Sequence, residues 1–182
     1  VPSEAHVVFR DMMSALEECT SINQVNATIS AVNFKKQLAQ LKNHAADYYN
    51  ELKNAIETTR KAVTTQTRQQ QLIKLQNRIK SEDIKTAVES IQSDAICKWI
   101  KDNLNKSERY SVLKIVCDKV PAGDLNLTLD GIDCALNSAV YKEDIDYILC
   151  ECKAGIDTLD DGYKTNIQEH AAKRAECLSM EV

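Results

Sequence analysis

The sequence predicts an all-α protein: a multi-helix bundle in which a long N-terminal helical hairpin packs on a disulfide-stapled C-terminal helical module. Three observations carry that expectation. First, the chain holds four Gly and two Pro, and neither residue occurs between Pro2 and Pro121. Tight turns draw on residues that tolerate positive φ, which Gly adopts most readily, so this stretch reads as long helices joined by short polar links. Second, apolar residues from Phe34 to Ala62 recur alternately four and three positions apart, a heptad pattern. Third, six of the seven cysteines lie at or after Cys97. We read the 182 residues as a single helical domain with sub-modules at 1–80, the long hairpin, and 81–182, the Cys-rich part.

The first helix is expected over residues 4–18. Ser3 suits an N-cap, and Glu4 complements the positive end of the helix dipole. Val7, Val8, Met12 and Leu16 make one stripe. A polar link follows at residues 21–24. The second helix carries the seam Phe34, Leu38, Leu41, Ala45, Tyr48, Leu52, Ala55, Thr59 and Ala62. Ala and Thr make this seam thin. It suits close packing on another helix of the same chain better than a free-standing coiled coil, which calls for more Leu and Ile. Leu72, Leu75 and Ile79 are out of phase with it. The polar, partly β-branched stretch 64–71 between them is expected to be a turn or kink after which the chain reverses.

Ser81, followed by Glu82 and Asp83, predicts a helix start. Ile84, Val88, Ile91, Ala95 and Trp99 then form a stripe that fades near residues 103–105. A shorter helix starts at Ser107 and Glu108, turns Leu113, Val116 and Cys117 inward, and stops before Pro121. Residues 120–124 read as a loop. Another helix is expected over about 129–140. The last begins at 142–144 and runs toward Cys177, with an interruption at Gly155 or Gly162. The total is about five to seven helices.

Cys19, Cys97, Cys117, Cys134, Cys150, Cys152 and Cys177 are the disulfide candidates. There is no CxxC, and none of the three His lies near a cysteine pair in sequence, so neither a metal nor a cofactor is expected. Disulfides in an oxidising compartment explain the cysteines better. The six from Cys97 onward allow about 15 pairings. An odd count leaves one thiol free or joined to a second chain, so the chain is a monomer or a disulfide-linked dimer. Cys150 and Cys152 sit about 200° apart on a helix and should bond in different directions. Cys19 is the spare thiol or the tie between the sub-modules. Sequons at Asn26, Asn105 and Asn126 fall where links between helices are expected, which makes them glycosylation candidates. The start Val1-Pro2-Ser3 fits a mature chain whose signal peptide has been removed, although a trimmed chain would begin the same way. Together these features predict a secreted, extracellular protein. No apolar run approaches the roughly 18 residues of a membrane span.

No catalytic signature is present. GxSxG, a Gly-rich phosphate loop and a His pair four residues apart are all missing, and adjacent acids such as Glu17/Glu18 do not face each other on a helix. No enzymatic activity is expected. Charge is more informative. Residues 58–81 contain no acid but include Arg60, Lys61, Arg68, Lys74 and Arg78, whereas the chain from Asp102 onward is acidic; the net charge of −4 hides this split. Such a patch suits an extracellular protein or an anionic surface, or simply a solvated face. The acidic balance and few aromatics argue against nucleic acid. Phe9, Met12, Met13, Leu16, Phe34 and Trp99 are candidates to line a ligand site in the bundle core, although any core needs such residues. The expectation is a secreted, non-catalytic binding protein that acts through its surface on another extracellular macromolecule. The alternative is a carrier of a small hydrophobic ligand, a lipid or hormone, in the bundle core.

Overall fold

The computed structural model describes residues 3–182, so the expected mature terminus at Val1 and Pro2 lies outside the described residues. Among the described residues there are eleven helices and no strand. The chain divides into two compact units, one up to Gln71 and one from Leu72.

The first unit opens with α1 (Glu4–Glu17), where the Ser3 side chain accepts from the His6 N–H as an N-cap. The expected link at residues 21–24 is instead the start of a further helix, α2 (Ile22–Ser30), with Ser21 as N-cap accepting from Gln24. Ala31, in extended conformation, separates it from α3 (Val32–His44). Ala45, at φ −150° and ψ 68°, then breaks the chain before α4 (Ala46–Ser81). The heptad seam is therefore split in two at Ala45. Its strong positions Phe34, Leu41 and Leu52 are buried, with Met12, Leu16 and Ile56, in one cluster. Beyond Leu52 the buried face runs through Ile56 and Val63, leaving Ala62 exposed. α1 and α2 both pack on α3.

The turn expected at residues 64–71 does not form: α4 is continuous over 36 residues. The expected hairpin therefore has no reversal there. Thr and Gln lower helix stability by only tenths of a kcal/mol per residue. No Gly or Pro is present to stop the helix, and the Thr67 hydroxyl donates to the Val63 carbonyl inside it (2.8 Å). The division between the units falls within α4.

In the second unit, Leu75 and Ile79 from the end of α4 join a much larger core. Asp83, not Ser81, caps α5 (Ile84–Gln92), accepting from the Thr86 N–H; Ser81 closes α4 and its hydroxyl donates to the Arg78 carbonyl. The stripe read as one helix is divided at Ser93, the N-cap of α6 (Asp94–Asn103), and Ile100 rather than Ala95 carries it inward. α7 (Lys106–Cys117) starts with a reciprocal capping box between Asn105 and Glu108. Its inward face includes Leu113, Val116 and Cys117 as expected. The loop at 120–124 is present. Its Gly123 has φ +95°, a conformation L side chains rarely adopt. Asp124 then caps α8 (Leu125–Leu136), which begins about four residues earlier than expected. The last expected helix is three: α9 (Asp144–Glu151), α10 (Lys153–Asp157) and α11 (Asp161–Glu176). The breaks fall at Cys152 and at residues 158–160, whereas Gly155 and Gly162 lie inside helices.

α8 is the centre of this unit and packs against α5, α7, α9 and α11. A Cβ added at Gly131 would sit 2.9 Å from Cδ of Pro121, so the 120–124 loop lies directly on the helix.

One charged cluster is buried here. Arg109 is 1% exposed and Asp144 0%. Nε of Arg109 donates to both carboxylate oxygens of Asp144 (2.9 and 3.0 Å), and Nη1 donates to Glu181 (3.1 Å). Nη2 lies 3.8 Å from Glu143, and the guanidinium stacks on Tyr141 with 4.7 Å to the ring centre. Asp144 also accepts from the Val140 and Tyr141 N–H groups. Burial works against the Arg109 charge, but Asp144 and then Glu181 outweigh it and raise its affinity for the proton.

Candidate functional site

An open groove of about 870 Å³ lies in the first unit, between the end of α2, α3 and the middle of α4. Its apolar surface comes from Ile29, Leu38, Tyr49 and Ile56, and its charged surface from Lys35, Lys53, Arg60 and Lys61, with Glu57 as the one carboxylate. The helical repeat of 3.6 residues explains the arrangement on α4: positions 49, 53, 56, 57, 60 and 61 share one side. The break at Ala31 ends α2 so that Ile29 and Ser30 close the groove. Arg60 and Lys61 also line a smaller depression with Ile22, Thr64 and Thr65, which extends the same basic track along α4. None of the four cations is in an ion pair among the described residues. Lys53 lies over the Tyr49 ring, 5.6 Å from its centre. Four cations beside an apolar floor suit a ligand that offers carboxylates and apolar groups together.

The basic residues singled out in the sequence are not one patch. Arg60 and Lys61 line the groove. Arg68 is engaged in contacts of its own. Lys74 and Arg78 belong to the second unit, and Nε of Arg78 donates to Glu82 at 2.8 Å. Lys35 and Lys53 were missed because the basic stretch was defined by the absence of acids after Glu57. A 3.6-residue reading of Lys53, Arg60 and Lys61 would have found the face.

The candidate ligand-lining residues are core. Met12, Leu16 and Phe34 are buried together with Phe9 and Met13 packed against them, and Phe9 stacks on Tyr48 at 4.7 Å. Trp99 packs against the core of the other unit. None of the six lines the groove.

The expected stapling is not seen: all seven cysteines are free thiols. Cys19 is in the first unit, with its thiol against the Ala15 carbonyl and the Thr28 hydroxyl. Cys150 and Cys177 are exposed, Cys97 and Cys134 half-buried, and Cys117 and Cys152 buried. Cys150 and Cys152 do differ in direction, one exposed and one buried. The three sequon asparagines are all exposed, but only Asn105 stands between helices; Asn26 is within α2 and Asn126 in the first turn of α8.

No helix among the described residues is long and apolar enough to cross a membrane. Compared with family models, curated proteins and solved structures, the chain matches none.

Proposed function

We propose that this chain is a secreted, non-catalytic binding protein that holds an acidic, partly apolar segment of another extracellular protein in the groove between α2, α3 and α4. The groove's pairing of four cations with an apolar floor carries the reading. Carboxylates meet Lys35, Lys53, Arg60 and Lys61, while apolar side chains cover Ile29, Leu38 and Ile56. A sulfated glycan would satisfy the cations but leave that floor wet. The carrier of a small hydrophobic ligand is less well served, because such sites bury roughly 70–90% of their ligand and this groove is open to solvent. Export carries with it glycans on Asn26, Asn105 and Asn126 and disulfides among the cysteines. The Asn105 cap tolerates a glycan, since Oδ1 accepts from Glu108 and the sugar attaches to the amide nitrogen.

The test is fluorescence anisotropy of a labelled peptide of alternating Glu and Leu against the full chain. Binding should weaken with salt and fall about tenfold when Arg60 and Lys61 are both changed to Glu. Absence of binding, or binding indifferent to that pair, would overturn the proposal. Saturable uptake of a fluorescent fatty acid that the peptide does not displace would favour the carrier.

A further inference from the structure

We propose that the second unit carries a peptide-binding site read by Arg109, that residues 178–182 fill it in cis as a strap, and that it takes an acidic peptide segment of a partner when the strap lifts. The inference is independent of the groove. The strap follows α11 and has no regular secondary structure. Among its contacts, three define the site. Leu178 packs against the large core. The Ser179 carbonyl accepts from the Lys142 N–H (2.9 Å). The Glu181 N–H donates to the Glu143 carboxylate (3.2 Å), and its own carboxylate accepts from Nη1 of Arg109 (3.1 Å). Met180, between the last two, is 57% exposed. Peptide ligands are held in the same way: main-chain hydrogen bonds supply affinity, and separate side chains seated in the site supply selection.

Arg109 shows that the strap is an incomplete occupant. Its side chain is 1% exposed, and Nε is already committed to Asp144. Nη1 reaches one oxygen of Glu181. Nη2 is buried with no hydrogen-bond partner among the described residues, and Glu143 lies 3.8 Å from it. A guanidinium binds a carboxylate best through two parallel N–H···O bonds, and a buried donor left idle is costly. A carboxylate that spans Nη1 and Nη2 satisfies both, where Glu181 satisfies one. Charge sets the class of ligand. Glu143, Asp144 and Glu181 already surround the one guanidinium. A single carboxylate replaces Glu181 with no change in net charge, whereas a phosphate dianion adds to an acidic excess. Tyr110 and Tyr141 flank Arg109, and the exposed Lys106 and Lys101 lie over their rings. These two cations draw an acidic segment toward the site. The pattern the site reads is the strap's own, an apolar residue with a Glu three positions later.

The probe is a fluorescein-labelled peptide, Leu-Ser-Met-Glu-Val with blocked ends, titrated into the full chain and followed by anisotropy. Glu181→Gln removes the strap's carboxylate and keeps its shape. That variant should bind the probe about tenfold tighter than the wild type, in which the strap competes. A probe with Gln in place of Glu should lose that gain, and inorganic phosphate should not displace the original probe. Changing Arg60 and Lys61 to Glu should leave its binding as it was, which separates this site from the groove. Equal affinity for wild type and variant, displacement by phosphate, loss of binding with Arg60 and Lys61, or no binding to either protein overturns the inference. A second measurement needs no variant. In amide NMR spectra of the wild-type chain, saturating probe should move the Ser179 and Glu181 signals toward their unstructured positions. Probe binding that leaves both signals unmoved puts the peptide elsewhere and overturns the inference as well.

Discussion

The two units solve the same problem, burying helices that are mostly polar, with different means. The first relies on a few large side chains, Met12, Leu16, Phe34, Leu41, Leu52 and Ile56, and leaves a groove of cations open beside them. The second surrounds α8 with four helices, buries a cluster several times larger, and accommodates a whole arginine inside it. The difference teaches where each is vulnerable. A thin core loses much of itself with one truncated side chain. A large core containing a buried charge loses most when that charge loses its partner.

The largest effect is expected from Asp144→Ala. Breaking a buried ion pair from one side typically costs about 3–5 kcal/mol, and here the Val140 and Tyr141 N–H groups lose their acceptor as well. Urea denaturation should show that loss. A double change, Arg109→Met with Asp144→Leu, should recover much of it. If the single variant costs under about 1 kcal/mol, Arg109 does not organise the unit.

Leu52→Ala comes next, at about 2–5 kcal/mol, since Leu52 is fully buried in the smaller core. Hydrogen exchange should show lost protection in α1 and α3 while amides of α8 keep theirs. Equal loss in both units would erase the distinction drawn between them. Asn105→Ala should cost about 1 kcal/mol, because it removes the acceptor half of the α7 capping box. Its reading is a modest shift of the denaturation midpoint at unchanged slope.

The smallest effect concerns acid at the corner between α4 and α5. Burial raises the Glu82 carboxyl, but hydrogen bonds from Arg78 and Ser90 outweigh it and hold it below its ordinary value. The Thr86 N–H does the same for Asp83. Both groups bind protons less readily folded than unfolded. Their contribution is therefore present at neutral pH and lost as pH falls below 4.5 for Glu82 and 3.8 for Asp83. Glu82→Gln should flatten the acid limb of a stability-against-pH profile; an unchanged limb would mean that the corner does not respond to acid.

Much of the helical framework was legible in advance, for local reasons. Ser3 and the loop at 120–124 stand where the residues placed them, and the inward face of Leu113, Val116 and Cys117 follows from the helical period. Boundaries were missed where two residues competed. Ser81 and Asp83 both suit a cap; in the fold the Ser81 hydroxyl donates back to the Arg78 carbonyl and Asp83 accepts from the Thr86 N–H. Ala31 and Ala45 interrupt the chain although Ala is the best helix former, so propensity alone does not place these helix ends. The reverse holds at residues 64–71, where a polar stretch read as a turn stays helical for lack of anything that breaks it.

What the sequence determined by itself was the helical class, several caps and most inward faces, because these depend on contacts within about one helical turn. Only the tertiary structure decided the rest. Lys35 and Lys61 line one groove, and Arg109 meets Asp144 in the core. Each of these joins residues from different parts of the chain. No periodicity encodes their meeting, because it depends on how the helices pack and not on how each one forms.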